Sequence, residues 1–268
     1  MTKEAIDLLH ALDPVKWSID VLGITPDEWQ GNALKHPSKR ILMNCSRQSG
    51  KSTCASILAL HRCIFYPSSL VLVISPSLRQ SGELFRIIAG LLARLPDMPK
   101  VEDMKTSFTL SNGSRCISLP GSEGTIRGYS NVALIVCDEA ARIDDTLIAG
   151  LTPMLATSNG RLLMLSTPWG KRGAFFEAWT QGGTDYFRYE VPASECPRIS
   201  KSFLEQERRS LGEWAYAQEY ECKFSDNAAG VFSYDVIAGA FSDDFLPLFP
   251  SLMVESTITD PNGKEVQG

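Results

Sequence analysis

The chain has 268 residues, of which 44% are apolar and 21% charged, an ordinary balance for a folded protein and too apolar for disorder. No apolar run approaches the roughly 20 residues of a membrane span, and the N-terminus lacks the basic-then-apolar pattern of a secretory signal. The net charge of −5, with a pI near 5.3, speaks against a generic basic DNA binder.

The distribution of that charge carries more than its sum. From Trp29 to Gly82 there is no Asp or Glu, and the stretch holds Lys35, Lys39, Arg40, Arg47, Lys51, Arg62 and Arg79. An acid-free segment centred on one Gly-Lys-Ser suggests an anion site. The seven cysteines (45, 54, 63, 116, 137, 196 and 222) form no C-x-x-C pair and fall largely in apolar segments, as reduced buried thiols do. Three histidines leave little for a His-based metal site.

In chain order, residues 3–21 hold a helical pattern broken at Asp13-Pro14. Thr25-Pro26-Asp27-Glu28 reads as an N-cap with a first-turn proline and acids, so a helix is expected up to about Leu34. Apolar strands then alternate with helices: strand 41–44, helix 52–65, strand 70–75 and helix 78–95. A hairpin pairs 108–110 with 116–119 through Asn112-Gly113. Strand 134–137, helix 145–155, strand 162–166, helix 173–180, strand 186–191 and helix 201–220 follow. Short β-branched runs between helices predict an α/β domain with a mostly parallel central sheet flanked by helices. The domain division expected is a helical segment 1–24, a nucleotide-binding domain 25–225 and an acidic tail 226–268, peripheral or partly disordered.

Three motifs carry chemistry. Cys45-Ser46-Arg47-Gln48-Ser49-Gly50-Lys51-Ser52 follows an apolar strand and opens a helix, the context of a P-loop. There, backbone N–H groups cradle phosphates, Lys51 reaches the β- and γ-phosphates, and Ser52 ligates Mg²⁺. Cys45 stands where the P-loop pattern has its first Gly, and a basic surface turn is the plain alternative. Ala133 to Ala140 is a strand delivering Asp138 and Glu139 at its C-terminal end. Asp138 would hold Mg²⁺ and Glu139 would act as general base on a water. Strand 162–166 ends in Ser166-Thr167, hydroxyls that can report loss of the γ-phosphate or cap the next helix.

Ser46 to Ser52, Val136-Cys137-Asp138-Glu139-Ala140-Ala141 and Ser166-Thr167-Pro168 together resemble the ATPase domain of the large terminase subunit, the genome-packaging motor of tailed bacteriophages, over about residues 20–225. The resemblance implies a RecA-like P-loop NTPase fold. In that family an Arg follows the first P-loop residues and the first Gly is often absent, so Cys45 ceases to be an anomaly. It further implies an adenine-side role for Gln30, nucleotide contacts from Ser46, Arg47, Gln48, Ser49, Gly50, Lys51, Ser52 and Thr53, and coupling through Ser166 and Thr167. Arg127, in Thr125-Ile126-Arg127-Gly128, is a candidate arginine finger acting from a neighbouring subunit, with a surface arginine in a Gly-rich loop as the alternative. Arg47 is a candidate for the same task in cis.

The resemblance implies ATP and Mg²⁺ as cofactors and double-stranded DNA as cargo. It implies a portal protein, a small terminase subunit and further copies of this chain in a ring as partners, without a membrane. The setting it implies is the host cytoplasm, transiently at the procapsid portal. The family also carries a C-terminal nuclease, but 39 residues after Ala229 leave no sheet on which to gather its carboxylates, so 226–268 is expected to be an acidic tail or the truncated start of that domain, and nuclease activity is not expected. A cloned ATPase domain, a split gene and a prophage remnant all fit that length. A nucleotide-binding assembly protein with little turnover, and a helicase-like DNA-dependent ATPase, are the alternatives. The helicase would need a second lobe for which there is no room.

Overall fold

A computed structural model of the protein describes residues 2–95, 100–121 and 128–225, together with two short segments, 258–259 and 265–266. Two helices, α1 (Lys3–Leu12) and α2 (Pro14–Asp20), meet at the expected break, where the Asp13 carboxylate caps α2 by accepting from the Val15 and Lys16 N–H groups at 3.0 Å. Helix α3 spans Glu28–Lys35. Its cap is Asp27, not Thr25: Asp27 and Gln30 form a capping box, and that reciprocal pair satisfies two orphan donors where a lone Thr-Pro start would satisfy fewer.

The strands β1 (Arg40–Cys45), β2 (Leu70–Ser75), β3 (Lys100–Met104), β4 (Ser107–Leu110), β5 (Arg115–Pro120), β6 (Val132–Asp138), β7 (Arg161–Ser166) and β8 (Phe187–Val191) form one eight-stranded sheet in the order β3-β4-β5-β2-β6-β7-β1-β8. Pairing from β5 to β8 is parallel, while β3 and β4 add an antiparallel edge. The 108–110/116–119 hairpin is therefore present, and β3 extends it, a strand whose Lys, Glu and Asp hide it from a reading by apolar runs. In the separate unit 226–268, β9 (Ile258–Thr259) pairs antiparallel with β10 (Glu265–Val266). The remainder of the expected acidic tail, and Arg127, lie outside the described residues.

Side chains alternate between two cores, as strand geometry requires. Ile41, Met43, Val71, Val73, Leu134, Val136, Leu163 and Leu165 face one core, roofed by α2, α3, α4 (Lys51–Phe65) and α5 (Leu78–Leu92). Leu42, Leu72, Ile74, Ile135, Cys137, Leu162 and Met164 face the other, covered by α6 (Asp145–Leu151) and α7 (Gly173–Gln181). Burial on both faces explains why these strands read as continuous apolar runs. The expected helix 145–155 ends early, its last turn tightening into a 3-10 helix, Thr152–Leu155, at Pro153. Helix α8 (Lys201–Tyr220) is interrupted at Gly212, whose φ of +75° no helix accommodates. All seven cysteines are buried free thiols. Among the described residues no helix is long and apolar enough to cross a membrane.

Candidate nucleotide site

The strand order decides the site. β7 is inserted between β1 and β6, so the P-loop strand and the Asp-Glu strand flank it rather than pair with each other. In register, Asn44 lies opposite Ser166 and Asp138 opposite Leu165. All three strands therefore end together, and open α/β sheets bind ligands at such carboxyl ends. Above them lies a cleft of about 580 Å³.

Residues 46–50 turn from β1 into α4, with Gln48 at φ 60° and Gly50 at φ 91°. The loop is held from behind. Gln30 Nε2 donates to the Gly50 carbonyl at 3.0 Å, and Arg198 donates to the Ser49 carbonyl at 2.8 Å and to Asp27 Oδ1 at 2.6 Å. The Ser46 and Arg47 N–H groups donate to the Val191 and Glu219 carbonyls at 3.0 Å, so the N–H groups of residues 48–50 and the first turn of α4 are left for an anion. A Cβ on Gly50 would sit 2.6 Å from Gln30 Nε2 and 2.9 Å from the Arg198 guanidinium, so glycine is required both by φ and by space.

Lys51, at the first position of α4, reaches across to Glu139, Nζ to Oε1 3.6 Å. Glu139 has φ 53° and ψ 43°, a left-handed turn rare for a residue with a side chain, immediately after β6. Its N–H donates to Asp138 Oδ1 at 3.1 Å. Asp138 is buried, and burial, reinforced by the Glu139 charge, pushes its carboxyl up to about 6 against the pull of Lys51. Ser166 Oγ accepts from the Ala141 N–H at 3.2 Å, tying the end of β7 to the turn that carries Glu139.

Of the residues expected at the site, Arg47, Gln48, Gly50, Lys51, Ser52, Thr53, Glu139 and Thr167 line the cleft. Ser46, Ser49, Asp138 and Ser166 lie buried beneath it. Gln30 is also buried, with both ends of its amide engaged, Oε1 by the Asp27 N–H at 2.8 Å and Nε2 by Gly50. Arg47 lines the cleft while its Nε donates to Glu219 Oε2 at 2.5 Å, an ion pair with α8. Three cleft residues escape a reading by motif: Gln80, Arg142 and Arg198. Arg142 stacks on the exposed Trp169 ring, its guanidinium carbon 3.7 Å from the centroid. Its one sequence signal is its place three residues after Glu139. Arg198 is 149 residues from Ser49, and no spacing pattern joins them.

The donors available to a cation are hard oxygens, Ser52 Oγ and the Asp138 carboxylate. Among the described residues no cluster of three or more His, Cys, Asp or Glu side chains forms a metal cage. Mg²⁺ is commonly held by one or two protein oxygens with the rest from phosphates and water, so this set fits Mg²⁺ brought with a nucleotide, and a dication would also offset the burial that raises Asp138.

A family model described as "Terminase large subunit, T4likevirus-type, N-terminal" matches residues 42–238. The chain is 30% identical over 228 residues to the terminase large subunit of Escherichia phage T5, covering 79% of this chain and 51% of that protein. To the terminase large subunit of Thermus phage G20c it is 23% identical over 262 residues, covering 84% and 54%. The chain thus spans about half the length of the curated relatives it matches. Among solved structures, the ATPase domain of the Thermus phage P74-26 large terminase superposes with a TM-score of 0.69 at 20% identity, covering 80% of this chain and 100% of that one. A large terminase from a thermophilic bacteriophage, in complex with ADP, superposes at 0.62 and 12% identity, covering 74% and 54%. The fold is the RecA-like P-loop fold, with its mostly parallel sheet and flanking helices.

Proposed function

Since the chain belongs to the family of large terminase subunits of the T4likevirus type, N-terminal part, we propose that its cleft hydrolyses ATP and that hydrolysis drives double-stranded viral DNA into a procapsid. The observation that carries this reading is the meeting of Lys51 and Glu139 at 3.6 Å across the end of β7. A phosphate-binding lysine and a general base converge there in one polar cleft.

The N–H groups of residues 48–50 and the N-terminus of α4 bind the phosphates. Lys51 exchanges Glu139 for phosphate oxygens when a nucleotide enters, and Glu139 is thereby released toward water. Glu139 orients that water and accepts its proton as the new O–P bond forms at the γ-phosphorus and the bond to the β–γ bridging oxygen breaks, leaving ADP and inorganic phosphate. Ser52 and Asp138 would hold Mg²⁺, which when bound neutralises charge on the β- and γ-phosphate oxygens. Arg142 reaches the cleft from the same turn as Glu139, and Arg127 remains the candidate for a finger supplied to a neighbouring copy. Thr167 lines the cleft and Ser166 holds the Glu139 turn, so β7 is the element through which loss of the γ-phosphate reaches the rest of the domain. Copies in a ring at the portal, joined by a small terminase subunit in the host cytoplasm, would pass the DNA along. Their DNA contacts would be mainly to phosphates and independent of sequence.

The test is phosphate release by the wild type and Glu139→Ala, each with and without double-stranded DNA. The expected result is turnover in the wild type, raised by DNA and lost in the variant. Equal background rates in all four samples overturn the reading.

A further inference from the structure

The acid-free segment does not serve the nucleotide cleft alone. Helix α4 runs away from the P-loop for 15 residues, about 20 Å at ~1.5 Å per residue. Its last turn carries Arg62 to the opposite, N-terminal end of the parallel strands, where β7 begins at Arg161. Both arginines line a second cavity of about 340 Å³, bounded also by α1, α2 and the end of α3.

The charges of this cavity do not balance. Its lining holds Lys35, Arg62 and Arg161 against one carboxylate, Asp13, and Asp13 is already paired with Lys35 Nζ at 2.8 Å. Arg161 donates to the His36 carbonyl at 2.9 Å, a neutral acceptor. Arg62 lies over the Tyr66 ring at 4.2 Å, and its Nε is buried without a hydrogen-bond partner. One guanidinium nitrogen of Arg40, at the start of the neighbouring β1, is buried and unpartnered as well. Burial holds both Arg62 and Arg161 below the usual guanidinium range, and for Arg161 the Arg62 charge adds to it. Buried guanidinium groups are ordinarily matched by carboxylate or phosphate, whose paired oxygens fit the planar fork. The other walls combine buried Leu34 and Leu58 with the rings of Tyr66, His36 and His61.

We propose that this cavity is a second anion site, distinct from the nucleotide cleft, which takes a small organic phosphate or carboxylate. Its oxygens bridge Arg62 and Arg161, and its apolar body rests on Leu34, Leu58 and Tyr66. Because α4 runs between the P-loop and Arg62, an occupant at one end touches the helix whose other end begins with Lys51.

The test uses the full chain carrying Lys51→Ala, so that the P-loop does not itself take the probe. Phenyl phosphate and benzoate are titrated by calorimetry, and protection from hydrogen exchange is mapped for the saturating probe. At least one probe is expected to bind at one per chain, protecting segments 11–14, 34–37 and 58–66. Phenyl phosphate alone identifies the ligand class as phosphate, benzoate alone as carboxylate, and both as either oxyanion. Arg62→Met and Arg161→Met are each expected to weaken binding about tenfold or more, and Arg62→Lys by less, since it keeps the charge and loses the fork. If Arg161→Met does not fold, the Arg62 pair and the exchange map decide. Failure of both probes to bind, affinity unchanged in the Arg62 variants, or protection elsewhere overturns the proposal.

Discussion

Lys51 Nζ lies 3.6 Å from Glu139 Oε1, and both side chains are largely shielded from solvent. The pair joins the two halves of the site before any phosphate is present. Replacing Glu139 by Gln removes the proposed base and the pair together. The expected result is loss of ATP turnover by about 100-fold or more, the usual scale for a general base. Nucleotide affinity is retained or increased, because Lys51 no longer has to leave a carboxylate. Phosphate release and equilibrium binding of a fluorescent ATP analogue check the two halves. Weakened binding in Glu139→Gln would contradict the exchange of partners proposed for Lys51.

Gly50 provides a backbone prediction. At φ 91°, and with Gln30 and Arg198 pressed against the place of its missing Cβ, Gly50→Ala must either distort the loop or break the hydrogen bonds to the Ser49 and Gly50 carbonyls. The left-handed conformation alone costs about 1–2 kcal/mol for a residue with a Cβ. The expected outcome is a lower denaturant midpoint together with lost ATP binding, read by urea titration and nucleotide binding on the same sample.

These residues show where the sequence is legible. The P-loop, the Asp138-Glu139 strand end and Ser166-Thr167 are local patterns, and strands buried on both faces announce themselves as apolar runs. The groups that hold those patterns in place are not local. Arg198 and Ser49 meet only because the segment before α8 returns to Asp27, and Gln30 is set by a capping box that also fixes Asp27 as the N-cap of α3. β3 is polar and edge-bound, so its only signal is its pairing with β4. The acid-free segment reads as one anion site, yet α4 divides it: Lys51 opens the helix and Arg62 closes it at the other end of the strands.

Arg198→Ala tests the buttress directly. The variant frees the Ser49 carbonyl and leaves Asp27 without its 2.6 Å partner. Arg198 is itself exposed, so global stability is expected to fall by no more than about 1 kcal/mol. ATP affinity is expected to fall roughly tenfold, since the loop must then be ordered at the expense of binding. Comparing the thermal midpoint with the KM for ATP separates the two effects. A fall in the midpoint with an unchanged KM would make Arg198 merely structural.

Arg142 and Trp169 predict a spectroscopic signal. The guanidinium covers the Trp169 ring at 3.7 Å and also lines the cleft. An anion arriving there competes for the same cation, so nucleotide binding is expected to change Trp169 emission. The chain has five tryptophans, and the change is therefore read as the difference between the wild type and Trp169→Phe. Arg142→Gln is expected to abolish that difference and to lower turnover about tenfold, through lost charge stabilisation. An unaltered emission response in Arg142→Gln would separate Trp169 from the site.

His61 gives the pH prediction. It is buried between Trp17, at a 5.5 Å centroid distance, and Phe65, at 4.7 Å, and its Nε2–H donates to the His10 carbonyl at 2.9 Å. Burial lowers its pKa from the ordinary 6.5, and the charges of Arg62 and Arg161 act in the same direction, while the His10 carbonyl and Asp13 oppose. The folded chain therefore holds His61 neutral while the unfolded chain protonates it near 6.5. The stability this group contributes is complete above that value and is lost as pH falls below it toward the folded pKa. Asp138 works in the opposite sense, since its raised pKa favours the folded state as pH falls from about 6 toward 3.8. The measurement is accordingly a difference between the urea midpoints of the wild type and His61→Gln, taken from pH 7.5 down to 5 without nucleotide or Mg²⁺. The Asp138 contribution cancels, and the wild type is expected to lose stability relative to the variant as pH drops. A pH-independent difference would mean that His61 accepts its proton in place.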